Sequence, residues 1–187
     1  MRTFVALDLE AGIRGRIRAF IEAVAGLAPE ARWAREESLH VTLKFIGERP
    51  GIRVEDIEAR LGSVRAGPFP LRFEGAGFFP SRARARVFWI GIPAEAGLAR
   101  LGSGVEDSLA GLGIAREERG FQPHLTLARA SGAGRQFRKL QEHLERHSPP
   151  EFGEMTAREF FLYRSQLSSR GSEYTKIARF ELRPAKD

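Results

Sequence analysis

The apolar positions of this chain follow two spacings that take turns along its length. From Arg2 to Leu9 they alternate, with Val5, Leu7 and Leu9 on one face and Phe4, Ala6 and Asp8 on the other, which predicts a strand. Ile13, Ile17, Phe20, Ile21, Val24 and Leu27 then recur at helical spacing until Pro29 stops the pattern. Period two returns from Leu39 to Phe45 and closes at Gly47 and Pro50. A short helix through Val54, Ile57, Leu61 and Val64 precedes two strands, Leu71 to Phe78 and Arg86 to Ile92. Leu98, Leu101, Val105, Leu109 and Leu112 mark a further helix, and beyond Gly113 an irregular stretch leads to a strand over Phe121 to Ala128. Phe137, Leu140 and Leu144 indicate the last helix, ended by Pro149 and Pro150. The chain finishes in a predicted hairpin of Arg158 to Arg164 and Glu173 to Leu182 around a polar loop containing Gly171.

Glycines are spread along the chain and no segment has the composition of a linker, so residues 1–187 read as a single unit with no domain boundary. A length of 187 residues with 42% hydrophobic and 29% charged positions supports a sizeable core and excludes a disordered chain. No apolar run approaches the length of a membrane span, and the first ten residues read as a strand rather than a signal peptide. A cytoplasmic protein with no membrane partner is therefore expected. The absence of cysteine removes disulfides, thiolate zinc sites, iron–sulfur clusters and a thiol nucleophile together. The net charge is +6, and all but Lys44, Lys139, Lys176 and Lys186 of the 30 basic residues are arginines. Guanidinium groups contact phosphate bidentately and stack on bases, which points to nucleic acid or a nucleotide. A compositional bias toward Arg, Ala and Gly explains the same excess.

The chemistry is carried by an internal echo. His40-Val41-Thr42-Leu43 and His124-Leu125-Thr126-Leu127 both read H-x-T-L inside strand-like segments. With five threonines in the chain, a Thr two places after a given His is roughly a 3% event, so two such cases among four histidines arise by chance well under about 1% of the time. Residues two apart on a strand share a face, so His40 and Thr42 oppose Val41, Leu43 and Phe45, while His124 and Thr126 oppose Leu125 and Leu127. Two imidazoles suit cleavage of a 2′,3′-cyclic phosphodiester. One neutral ring takes a proton from water, one imidazolium gives a proton to the departing sugar oxygen, and unperturbed values near pH 6.5 allow both roles. The threonine hydroxyls can donate to the non-bridging phosphate oxygens as charge develops. Neither role needs a metal, and no cofactor is expected.

With these motifs the sequence resembles the 2H phosphoesterases, named for two H-x-[TS]-x motifs. More closely it resembles the bacterial and archaeal RNA 2′,3′-cyclic phosphodiesterases, also called 2′-5′ RNA ligases of the LigT/ThpR type. The landmarks RTFVALDL, LHVTLKFIGE, FFP, VFWIGI, FQPHLTLAR and LYRSQLSSRGSEYTKIARFEL follow one another over nearly the whole chain. The resemblance implies an α+β, bilobal LigT-like fold: two pseudo-symmetric antiparallel sheets with helices outside and the histidines facing each other across a central cleft. It implies His40 as proton donor, His124 as proton acceptor, Thr42 and Thr126 as phosphate anchors, and a 2′-phosphomonoester as product. It also implies action on RNA ends or small cyclic nucleotides, with ATP-independent 2′-5′ RNA ligation as a second capacity, and a monomer is expected. Arg129 matches a basic position of the family pattern. A regular strand aims it away from His124, so it either reaches phosphate through a twist or strand end or forms a surface ion pair.

Other candidates have plain alternatives. His143 and His147 stand four apart on a predicted helix, a zinc-compatible spacing, but HLERH is not the H-E-x-x-H arrangement, so they read as surface histidines and no metal site is expected. Arg82, Arg84 and Arg86 form either a basic ridge for RNA or a solvated edge. Phe4 is a base-stacking candidate or a core residue, and Tyr163, Ser165 and Tyr174 fall in the C-terminal landmark. No G-x-x-x-x-G-K-[ST] loop or G-x-G-x-x-G follows a strand, which leaves an ATP-dependent ligase or a dinucleotide oxidoreductase unsupported. Two rival readings keep the same cleft: a non-catalytic RNA- or nucleotide-binding module, and 2′-5′ linkage cleavage or ligation as the main activity.

Overall fold

The computed structural model describes residues 1–118, 120–132, 135–168 and 171–183. Among these residues, nine strands form two antiparallel sheets. The first sheet holds β1 (Arg2–Leu7), β3 (Val41–Glu48), β8 (Glu159–Ser168) and β9 (Gly171–Glu181) in the order β3-β1-β8-β9. The second holds β2 (Arg32–Trp33), β4 (Phe69–Phe79), β5 (Val87–Gly91), β6 (His124–Arg129) and β7 (Gly153–Ala157) in the order β2-β6-β5-β4-β7. The helices are α1 (Ala11–Val24), α2 (Val54–Leu61), α3 (Ala96–Ala110) and α4 (Arg138–Arg146), and none is long and apolar enough to cross a membrane.

Each predicted element is present with ends moved by a few residues. Helix α1 buries Ile13, Ile17, Phe20, Ile21 and Val24, the stripe its spacing predicts, while Leu27 falls in a single 3-10 turn after it. Helix α3 buries Leu98, Leu101, Val105 and Leu109 in the same way. Strand β1 lies inside its sheet, and its two faces enter separate clusters: Val5 and Leu7 join the main core, whereas Phe4 and Ala6 pack with Phe161 and Tyr163. The C-terminal hairpin pairs β8 with β9, and the middle of its expected polar loop, residues 169–170, lies outside the described residues. Two strands escaped the pattern. Strand β2 is two residues long, and β7 carries Gly153-Glu154-Met155-Thr156-Ala157, whose inward positions are only Met155 and Ala157.

Both motif strands contain an irregularity that sequence alternation did not predict. Strand β3 pairs Ala6 with Thr42 but Val5 with Lys44, so one extra residue is accommodated between Thr42 and Lys44. Alternation inverts beyond that point. Phe45, expected on the apolar face with Val41 and Leu43, is 65% exposed, while Lys44 is turned inward and only 6% exposed. The Lys44 ammonium donates to Glu106 Oε2 on α3 and to the Ala115 carbonyl, both at 2.7 Å. Strand β6 shows a matching shift, pairing Thr126 with Trp89 but Ala128 with Phe88.

The inward lysine holds β3 to α3 and to the irregular approach to β6. Lys44→Met is expected to leave the mostly buried Glu106 carboxylate unpaired and to lower stability by about 3–5 kcal/mol. Urea unfolding midpoints measure this, and adding Glu106→Leu is expected to restore most of the loss. An unchanged midpoint for Lys44→Met alone would contradict the assigned role of the pair.

Candidate active site

The register of each sheet places its motif histidine at the end of a strand. Val41 pairs with Leu7, so His40 is the next residue outward on β3's side, and His124 opens β6 opposite Gly91. Strands β3 and β6 pack against one another across the sheets. His40 consequently feels the positive charge of both His124 and Arg129, which puts both motifs on one cleft.

The two imidazoles are held alike. His40 Nδ1 is 2.7 Å from the Ser38 carbonyl and His124 Nδ1 is 2.8 Å from the Gln122 carbonyl, in each case two residues earlier in the chain. A carbonyl only accepts, so Nδ1 must carry the hydrogen, and among the described residues Nε2 has no partner. Aromatic rings fix the planes. Phe4 lies 4.8 Å from the His40 ring, Tyr174 packs edge-on at 5.1 Å, and Tyr163 stacks on Phe4 at 5.0 Å. Around His124, Phe79 packs edge-on at 5.0 Å and Trp89 lies at 6.4 Å. Gly77 makes room for that wall, since a Cβ there would sit 2.3 Å from the Trp89 indole.

Thr42 and Thr126 are half-buried two residues beyond their histidines, and among the described residues neither hydroxyl is engaged by another side chain or carbonyl. Arg129 is exposed at the end of β6. The register shift in β6 turns it toward the histidine side, and its charge reaches His40 and His124 alike. Among the described residues it has no ion-pair partner. Phe45 stands five residues after His40 as Arg129 stands five after His124, its ring 6.0 Å from Phe4.

Both histidines are less basic than free imidazole, which corrects the expectation of unperturbed values. Burial pushes His40 down to about 4, against the Ser38 carbonyl and the Asp8 carboxylate that favour its charged form, with Arg129 and His124 adding to the depression. Burial and Arg129 also lower His124, against the pull of the Gln122 carbonyl. Burial and the nearby Asp8 charge raise Tyr163, keeping the phenol neutral. For Asp8 itself burial acts upward, but hydrogen bonds from Lys176 and the Leu9 amide and the charge of Arg14 outweigh it.

The remaining candidates take other parts. His143 and His147 stack on each other at 4.6 Å, and His147 Nδ1 approaches the His143 carbonyl at 3.2 Å. Arg82, Arg84 and Arg86 lie in and beside a turn rather than along a strand. Arg82 pairs with Glu145 at 2.8 Å and Arg86 approaches the Gly132 carbonyl at 3.4 Å, so two of the three are engaged within the protein. Sequence reasoning missed Asp8 as a neighbour of His40 and placed Phe45 on the wrong face. The second error was detectable, because the apolar positions after Val41 and Leu43 change parity at Ile46.

The sequence profile of the LigT like Phosphoesterase family matches residues 7–89 and again 90–174, one copy for each motif. A protein of Archaeoglobus fulgidus named RNA 2′,3′-cyclic phosphodiesterase is 35% identical over 181 residues, covering 97% of this chain and 100% of the relative. One of the same name from Methanothermobacter thermautotrophicus is 31% identical, covering 97% and 99%. Among solved structures, E. coli LigT complexed with 3′-AMP superposes with a TM-score of 0.77 at 30% identity over 97% of each chain. A protein of Thermus thermophilus gives 0.77 at 30% identity over the full length of both.

The depressed histidine predicts the acid behaviour of the fold. The unfolded chain binds a proton at His40 near pH 6.5 and the folded chain near pH 4, so unfolding takes up a proton between these values. The stabilisation is complete above pH 6.5 and is lost as pH falls toward about 4, by about 3 kcal/mol from this residue. Asp8 adds a loss only below its ordinary value of 3.8. Denaturation midpoints across pH 4–7 should fall on acidification in the wild type and much less in His40→Ala; parallel slopes would contradict the burial account.

Proposed function

Because the chain belongs to the LigT like phosphoesterase family, we propose that it hydrolyses 2′,3′-cyclic phosphates of RNA ends or small nucleotides to 2′-phosphomonoesters, with His40 as proton donor and His124 as proton acceptor. The observation that carries the assignment of residues is the mirrored pair of imidazoles, each with Nδ1 committed to a carbonyl and, among the described residues, no partner on Nε2. His124 Nε2 takes a proton from water as the water oxygen bonds to phosphorus. The bond from phosphorus to O3′ breaks, and His40 Nε2 delivers its proton to that oxygen. Placing acid and base on opposite lobes matches the in-line geometry of attack and departure.

Charge decides how a histidine with a pKa of about 4 serves as an acid. A unit negative charge ~4 Å from an imidazolium at an effective dielectric of ~20 is worth about 4 kcal/mol, or roughly three pH units. The incoming phosphodiester therefore outweighs the burial shift, and His40 takes up its proton together with the substrate. Thr42 and Thr126 donate to the non-bridging oxygens, and the Arg129 guanidinium balances their charge. The two histidines supply both proton transfers, and the unit spanning residues 1–187 works as a monomer in the cytoplasm without metal or cofactor.

Purified protein incubated with a 2′,3′-cyclic mononucleotide in EDTA is expected to release the 2′-monophosphate. His40→Ala and His124→Ala should each lower kcat/KM by about 10²–10⁴-fold. Hydrolysis within twofold of wild type in both variants, or a 3′-monophosphate as product, would overturn the assignment of roles.

A further inference from the structure

The two motifs are alike in sequence, yet the residues facing their histidines across the sheet are not. In the second lobe the register pairs His124 with Gly91, which has no side chain. No side chain can be placed there without moving the sheet, because a Cβ on Gly91 would lie 2.7 Å from the Glu74 carbonyl oxygen. In the first lobe the last registered pair is Leu7 with Val41, and the next residues on the two chains are Asp8 and His40. Asp8 lines a hollow of about 630 Å³ with Tyr163 and Tyr174, the latter packed edge-on against the His40 ring. One histidine thus has a carboxylate for a neighbour and the other has bare backbone.

We propose that Asp8 is a positioning residue for His40 as the proton donor, its fixed negative charge offsetting part of the burial that disfavours an imidazolium on that side of the cleft. This rests on the two-histidine reading above. The carboxylate is pinned from several directions. Arg14 and the Leu9 amide donate to Oδ1, and Lys176 donates to Oδ2. Among the described residues near this face, Glu36 pairs with Arg18 at 3.4 Å and Glu37 with Arg35 at 3.3 Å. On β8, Tyr163 stays neutral and Glu159 pairs with Arg179. Among the described residues, Arg129 and, when protonated, His124 reach His40 from the second lobe, and both oppose its protonation. Among the described residues Asp8 is the negative charge that acts in its favour, and Lys176 and Arg14 keep it ionised while screening it.

A purely structural network and an electrostatic one respond differently to removal of single charges. The test follows the ring protons of both histidines by NMR titration in wild type, Asp8→Asn and Lys176→Met, each with saturating inorganic phosphate. The pH profile of hydrolysis of a 2′,3′-cyclic mononucleotide is recorded alongside. Asp8→Asn is expected to lower the His40 midpoint by about one pH unit, and Lys176→Met, which unscreens the carboxylate, to raise it, with His124 unmoved in both. The alkaline limb of the activity profile should move with His40, so that Asp8→Asn loses roughly tenfold more activity at high pH than at low pH. An unmoved His40 midpoint in either variant, or equal movement of both histidines, would overturn the proposal. If Asp8→Asn does not fold, as judged by near-ultraviolet circular dichroism, the direction of the Lys176→Met shift decides alone. The titration does not depend on turnover, so shifted midpoints without hydrolysis would count against the catalytic reading and not against the role of Asp8.

Discussion

Two short hydrogen bonds govern the cleft, from His40 Nδ1 to the Ser38 carbonyl and from His124 Nδ1 to the Gln122 carbonyl. Each is local in sequence, so each is set by the turn into its strand and does not rely on the other lobe. A ring that donates through Nδ1 has one remaining nitrogen, and aromatic rings pack against both imidazoles. The same burial that orders the rings removes water from them and makes both less basic. Position and protonation state therefore have one cause.

The register shifts in β3 and β6 come next in importance, because they decide what stands beside the histidines. A regular strand would carry Phe45 and Arg129 to the core side of their sheets. One extra residue at the last position of each H-x-T-L segment, Leu43 and Leu127, sends both to the cleft side and turns Lys44 and Ala128 inward. The inward lysine would be costly alone, and Glu106 with the Ala115 carbonyl compensates it. A single irregularity thus links the site to the stability of the helix layer behind it.

Period and spacing revealed the helices, the long strands and both histidine motifs, since each is written in consecutive side chains. Pairings between distant segments were less legible. Nothing in RTFVALDL says that Asp8 stands across from His40, because that follows from the Leu7 to Val41 register, and nothing in VFWIGI says that Gly91 faces His124. Strand β7 has too few inward apolar residues to show a period, and β2 too few residues of any kind. The change of apolar parity between Leu43 and Ile46 was in the sequence, and it is the trace that a bulge leaves when a polar residue such as Lys44 occupies an inward position. The lowered basicity of the histidines depends on burial by residues from several elements and could not be read from the motif.

The measurement that bears most directly on this account is the tautomer of the two rings. Long-range proton–nitrogen correlation spectra of the protein labelled with ¹⁵N-histidine, recorded near pH 8 without ligand, distinguish a protonated nitrogen from one bearing a lone pair. Both His40 and His124 should appear as neutral rings with hydrogen on Nδ1 and a lone pair on Nε2. Hydrogen on Nε2 in either ring, or a charged ring at that pH, would contradict the carbonyl-held geometry on which the assignment of acid and base depends.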